Sequence, residues 1–361
     1  MTPPPIPTLF CLGFEGVTVP PHVLALLQAG LGGVILFSRN LRSLDQICRL
    51  TSTLRASTPE PLLIGVDQEG GRVSRLPPPF LTPPAAASLG SMDDEGLTAE
   101  LARAVGRELR IAGFNWNLAP VLDIHTNPAN PVIGDRAFSP DPDRVARLGL
   151  RVIQGLTEAG ILPTAKHFPG HGDTGADSHL TLPESGQSAA RWRAVEFVPF
   201  RRAIQAGVPM ILVGHLLCPA LDPVAPSSLS RPIITGILRE ELGYDGVVVS
   251  DDLEMSALAE SCDIGEAAVR FLEGGGDLIL VCRDVARQRA ALGAVEAAWR
   301  TGRLSEERLA ASLDRMARWR RRLPEGGGAV DVEAARAIVG GPEHQRILQA
   351  VHRRAAASAS A

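Results

Sequence analysis

Lysine is almost absent. Of 36 basic residues only Lys166 is a lysine and the other 35 are arginines, a bias of the genome-wide codon kind that leaves open why one position keeps an amine. Against 40 acidic residues the formal net charge is −4, so no polycation is present to coat nucleic acid. The cysteines are few and scattered: Cys11, Cys48, Cys218, Cys262 and Cys282 are odd in number and form no CxxC pair. A disulfide framework and a structural zinc site are both excluded on that pattern. No window approaches the ~20 uninterrupted apolar residues of a membrane span. The segment from Met1 to Gly13 contains no Lys or Arg and is broken by four prolines, unlike a secretory leader, so the expected location is the cytoplasm. No GxGxxG follows the first strand-like run, which removes the main signal of a dinucleotide-binding open sheet.

What is present is a repeat. Short β-branched runs occur at Thr8–Gly13, Gly33–Phe37, Leu62–Asp67, Asn115–Pro120, Pro163–Phe168, Met210–Gly214, Gly246–Asp251 and Leu278–Cys282. Between them, Leu97–Ala112, Asp143–Ala159, Arg191–Ala206 and Ile233–Leu242 carry apolar residues at three- and four-residue spacing, the helical period. An Ala-Gly joint precedes a strand at Gly30, Gly113, Gly160 and Gly207, and a glycine there lets a helix end in the left-handed conformation and turn at once into a strand. Eight such units predict an α/β fold, a (β/α)8 TIM-like barrel, rather than a doubly wound open sheet. The barrel is expected over residues 1–303. Residues 304–361 read as extra C-terminal helices, Glu306–Arg322, Val332–Val339 and His344–Ala355, packed on the barrel's outside, with a frayed Ala-Ser end.

In such a barrel, chemistry belongs to the loops after the strands' C-terminal ends. Strand three ends in Asp67, within Gly65-Val66-Asp67-Gln68-Glu69-Gly70-Gly71-Arg72-Val73-Ser74-Arg75. Strand four leads to Asp123 and Gly134-Asp135-Arg136. Strand five ends in Lys166-His167, and its loop continues through His171 to Asp177-Ser178-His179. Strand six ends at His215 and strand seven at Asp251-Asp252. Each residue alone has an ordinary explanation. Asp251 suits a helix N-cap completed by Glu254, Asp67 a turn, Lys166 a buried ion pair, and His167 and His215 core histidines bonded to carbonyls, which for His215 is the better reading. Arg75 and Arg136 are two of many arginines. Their convergence on one rim is what points to a site.

That set suits glycosyl transfer through a covalent intermediate. Asp251 can attack an anomeric carbon, and His179, with Asp177 holding its ring, can give a proton to the leaving oxygen and later take one from water. Gly170, Gly172 and Gly175 should let their loop swing His179 toward bound substrate. Asp67, Arg75, Arg136, Lys166 and His167 offer the hydrogen bonds that sugar hydroxyl and acetamido groups need. A metal is not expected. His167 and His171 are four apart, but Pro169-Gly170 breaks the helix on which that spacing aligns two ligands, and no His-x-His opens the chain.

The blocks from Gly65 to Leu76, Lys166 to Thr174, Asp177-Ser178-His179, and Ser250-Asp251-Asp252-Leu253-Glu254-Met255 resemble the signatures of family 3 glycoside hydrolases, and within them the β-N-acetylhexosaminidase branch of NagZ-type enzymes. The resemblance implies a (β/α)8 barrel without cofactor or metal, and retaining exo-removal of terminal β-linked N-acetylglucosamine. It puts the nucleophile at Asp251, the acid/base at His179, its support at Asp177, and sugar-binding positions at Asp67, Arg75, Arg136, Lys166 and His167. It further implies a small saccharide or muropeptide partner, N-acetylglucosaminyl-anhydromuramyl fragments in cell-wall recycling, and a cytoplasmic monomer or homodimer with no nucleic-acid or membrane partner. Many family members carry a second α/β-sandwich domain, and the expectation here is a single-domain member that completes the site within the barrel. The alternatives are a phosphorylase using the same site, since a histidine does not repel phosphate as a carboxylate does, a non-catalytic sugar-binding barrel, and a metal-dependent barrel hydrolase.

Overall fold

A computed structural model describes residues 4–175, 182–259, 262–323 and 329–359, and among these described residues ten strands form: β1 (Phe10–Leu12), β2 (Gly33–Leu36), β3 (Leu63–Val66), β4 (Gln68–Gly70), β5 (Val73–Ser74), β6 (Trp116–Asn117), β7 (Leu162–Phe168), β8 (Met210–Val213), β9 (Val247–Asp252) and β10 (Leu278–Val281). Eight of them close a barrel in chain order, each parallel to its neighbours, and β1 completes the ring against β10 with Phe10 beside Ile279. The remaining two, β4 and β5, form an antiparallel hairpin at the end of β3, which the periodicity did not reveal.

The strand sequences explain the closure. Cys11, Ile35, Leu63, Trp116, Met210, Leu212, Val247, Val249, Leu278 and Leu280 form one apolar cluster inside the barrel. The alternating neighbours, among them Phe10, Val34, Ile64, Ile211, Val248 and Ile279, belong to the cluster shared with the surrounding helices. Both faces of most barrel strands are therefore apolar, which is why those strands read as unbroken hydrophobic runs. Gly65 makes room for Trp116: a Cβ there would lie 2.5 Å from the indole ring. The four Ala-Gly joints behave as expected, with φ of +89°, +93°, +78° and +76° at Gly30, Gly113, Gly160 and Gly207.

The helices depart from expectation in three places. The segment expected as one helix over 191–206 is two, Ala189–Ala194 and Phe197–Gln205. Pro199 has no N–H to give the carbonyl of Val195, so one continuous helix through this point would lose a bond and clash. Residues Pro232–Glu241 wind as a π-helix rather than an α-helix. The helix Glu306–Arg320, expected on the barrel's outside, instead closes its N-terminal mouth. Met316 and Leu323 join the interior cluster, and Arg308 and Arg315 reach Asp277, the fully buried residue that leads into β10. Val332–Ile338 and Pro342–Ala359 pack on the outer helices, burying Ala335, Val339 and Val351.

Candidate active site

The C-terminal ends of β3, β7 and β9 open on one side of the barrel into a cavity of about 310 Å³, within the size range of small-molecule sites. Asp67, Arg75, Arg136, Lys166, His167 and Asp251, six residues singled out from the sequence, all line it. Asp177 and His179 lie outside the described residues.

The hairpin sets one wall. Asn117, at the end of β6, donates its amide to the Gln68 carbonyl and accepts the Gln68 N–H, both at 3.0 Å. This clasp fixes the backbone between Asp67 and Glu69, whose side chains share the one lysine. Lys166 Nζ is 2.7 Å from Asp67 Oδ1 and 2.6 Å from Glu69 Oε1. Arg136 grips Glu69 with two bonds of 2.9 Å, from Nε and Nη2. Burial pushes the Glu69 carboxyl up, but Lys166 and Arg136 outweigh it and hold Glu69 far below the carboxylate range. Burial likewise pulls Lys166 down, and Asp67 and Glu69 raise it above its ordinary value. Lys166 is thus the buried ion-pair partner of the plain reading, and it lines the cavity as well. Arg75, which directly follows β5, also lines the cavity, and its buried Nε has no hydrogen-bond partner among the described residues, so its guanidinium keeps donor capacity for a bound group.

Lys166 and His167 are adjacent in β7, and in a regular strand they would face opposite ways. The register against β8 shifts between Ala165 and Phe168, and both side chains line the cavity. His167 Nδ1 lies 2.7 Å from Asp123 Oδ2 and its Nε2 lies 3.4 Å from Arg136 Nη2. His171, also on the cavity, is neutral over most of the pH range, because burial lowers it to about 4.

Asp251 sits at the tip of β9. Burial pushes its carboxyl up, but the neighbouring His215 and His167, the Asp252 N–H and Lys166 bring it below its ordinary value, so it stands ionised. It does not cap a helix: Oδ1 accepts the Asp252 N–H, and Glu254 receives the N–H groups of Arg283 and Asp284. His215 is a core histidine, as expected. It is fully buried, with Nδ1 2.7 Å from Ser228 Oγ and Nε2 3.0 Å from the Asp252 carbonyl, which steadies the strand end that carries Asp251.

Glycines expected to let the acid/base loop swing do otherwise. A Cβ on Gly172 would fall 1.8 Å from the Ile124 carbonyl oxygen and one on Gly170 would meet Glu196 at 3.0 Å, so both are positions of close approach. Among the described residues nothing lies within 4 Å of a Cβ on Gly175, unlike on the other two. Two residues that the sequence reading passed over without giving them a role are Glu69 and Asp123, the second of which it placed at the end of strand four. Glu69 could have been found by charge balance, since a buried Lys and Arg together need more than one carboxylate. Among the described residues no three His, Cys, Asp or Glu side chains are grouped to hold a metal ion.

Residues 21–319 match the profile described as the glycosyl hydrolase family 3 N-terminal domain. A beta-hexosaminidase A of Pseudoalteromonas piscicida is 34% identical over 358 residues, covering 91% of this chain, while the chain spans only 60% of that protein. A glycoside hydrolase family 3 β-N-acetylglucosaminidase of Paenibacillus sp. strain FPU-7 is 39% identical with a TM-score of 0.89, covering 97% of this chain and 68% of its own. NagZ of Neisseria gonorrhoeae, solved with N-trifluoroacetyl-D-glucosamine, is 31% identical with a TM-score of 0.79, covering 96% of this chain and 98% of its own.

Proposed function

The chain belongs to glycosyl hydrolase family 3, and from that premise we propose that it is a retaining β-N-acetylglucosaminidase that removes a terminal β-linked N-acetylglucosamine from a saccharide. Relatives named beta-hexosaminidase and β-N-acetylglucosaminidase support the activity, and the amino-sugar ligand of the Neisseria protein supports the sugar. The observation that carries the reading is Asp251: a carboxylate kept ionised at the tip of β9, on the same cavity as Asp67, Lys166, His167, Arg136 and Arg75.

In the first step an Asp251 oxygen bonds to C1 as the C1–O bond to the leaving group breaks, and His179 gives that oxygen its proton. In the second, water attacks C1, His179 takes the water's proton, and the Asp251–C1 bond breaks, so the anomeric configuration is kept. Asp177 supports the histidine in both steps. Lys166, Arg136 and Arg75 supply donors to sugar oxygens, while Asp67 and His167 supply acceptors. The natural substrate in this reading is the N-acetylglucosaminyl-anhydromuramyl fragment of a recycled cell wall, met in the cytoplasm by a monomer or homodimer.

A 5-fluoro N-acetylglucosaminyl fluoride should label Asp251 in peptide mass spectra. Asp251→Asn should fold normally and lose kcat/KM on an aryl β-N-acetylglucosaminide by on the order of 10⁴-fold or more. Full activity in that variant, or a label on another residue, sinks the assignment. Release of N-acetylglucosamine 1-phosphate when phosphate is added would move the chain to the phosphorylase reading.

A further inference from the structure

Asp123 does not line the cavity, and no part of it reaches solvent. Its carboxylate gathers three donors from the end of β7 and the loop beyond. Oδ1 accepts the backbone N–H of His171 at 2.6 Å and that of His167 at 3.3 Å, and Oδ2 lies 2.7 Å from His167 Nδ1. Burial alone would push this carboxyl up, but the donors that His167 and His171 turn on it hold it below its ordinary value, so it is a carboxylate and only accepts.

We infer that Asp123 is a positioning residue that sets the tautomer of His167, making the ring's other nitrogen a hydrogen-bond acceptor in the sugar site. An ionised oxygen opposite Nδ1 requires the proton to sit on Nδ1. Across the ring, Nε2 is 3.4 Å from the Arg136 guanidinium, which can only donate. A second proton on Nε2 would set two donors face to face, so the ring is neutral with its lone pair on Nε2. The contact with Arg136 is at the long end of the hydrogen-bond range, and a hydroxyl hydrogen entering the cavity can displace it. Lys166 and Arg136 donate, Nε2 accepts, and a sugar hydroxyl is then matched in both of its roles. The part concerning sugar rests on the proposed function. The tautomer does not.

The geometry makes Asp123→Asn a sharp probe. Two backbone N–H groups point at Oδ1, so the amide oxygen must stay there and the NH2 group must take the place of Oδ2. It then donates to Nδ1 and moves the ring proton to Nε2. In the free wild-type protein, ¹⁵N spectra of labelled histidine, assigned with His167→Gln, should show His167 protonated on Nδ1 alone. In Asp123→Asn the pattern should invert, and kcat/KM should fall about 10- to 100-fold, as for other residues that orient a histidine from behind. In a His167→Gln background the same Asp123→Asn change should cost almost nothing further. An imidazolium or an Nε2–H tautomer in the wild type overturns the inference, whether or not the variant folds. So does a folded Asp123→Asn that keeps the Nδ1 proton, or one that is fully additive with His167→Gln. Because the spectrum reads the unliganded protein, a failure of the hydrolase assignment leaves this test standing.

Discussion

Asp251 and Asp252 are neighbours in sequence and opposites in titration. Asp251 is held ionised, whereas burial pushes Asp252 up to about 7, against the pull of the Glu254 N–H and with the negative charges of Glu254 and Asp251 adding to the rise. An unfolded chain releases the Asp252 proton near the ordinary carboxyl value of 3.8. The folded protein keeps it until about pH 7, so this residue contributes stability fully below pH 4 and loses that contribution as pH rises through the window. Asp252→Asn keeps Oδ1 as acceptor for the N–H groups of Glu254 and Cys282. Its thermal midpoint should therefore gain on the wild type steadily from pH 4 to pH 8, and two parallel curves would disprove the sign. Glu69 makes the second prediction at this scale. Removing it by Glu69→Ala leaves Lys166 with Asp67 alone and strips Arg136 of its carboxylate inside a buried site. A loss of about 3–5 kcal/mol is expected from urea unfolding, with activity lost as well.

At the scale of the element, the loop leaving β7 is held by close approach. Gly172 lies against the Ile124 backbone, and the Asn127 N–H donates to the Gly172 carbonyl at 3.3 Å. Gly172→Ala should cost at least the ~1–3 kcal/mol of an overpacked core, since backbone rather than a side-chain tip must move, and should lower kcat/KM through the loop that leads to Asp177 and His179. Gly175→Ala meets nothing within 4 Å among the described residues and should shift stability by less than about 0.5 kcal/mol. Equal midpoints for the two variants would show that packing does not hold this loop. The hairpin of β4 and β5 illustrates what a local pattern cannot show. Gln68–Gly70 and Val73–Ser74 are too short for any periodicity, and their pairing depends on Asn117 and on the Leu81 carbonyl, which accepts from Gln68 Nε2.

Across the whole molecule, the helices after residue 304 are part of how the barrel is finished. Glu108, buried in an outer helix, receives His344 Nδ1 and the Gly340 N–H at 2.9 Å each and the Leu81 N–H at 2.7 Å. One carboxylate thus ties the C-terminal helices to the segment behind the hairpin. A chain ending at residue 329 loses two of these three partners and leaves a buried carboxylate short of donors, a cost of about 1–3 kcal/mol or more. Its denaturant midpoint should drop clearly, and an unchanged midpoint would show that these helices only decorate the surface.

Much was legible without coordinates. The eight strands, the glycine joints and the residues that share the cavity follow from local information: alternation along a strand, the helical period, and the rule that a barrel's polar residues collect at one end. What only the tertiary structure decided are relations between distant residues. Lys166 meets Asp67 across 99 positions and His167 meets Asp123 across 44. Which carboxylate stays charged, which nitrogen carries a proton, and which helix plugs the barrel depend on burial and on partners brought together by closure. Those are energies of the packed state, and no stretch of chain contains them before it folds.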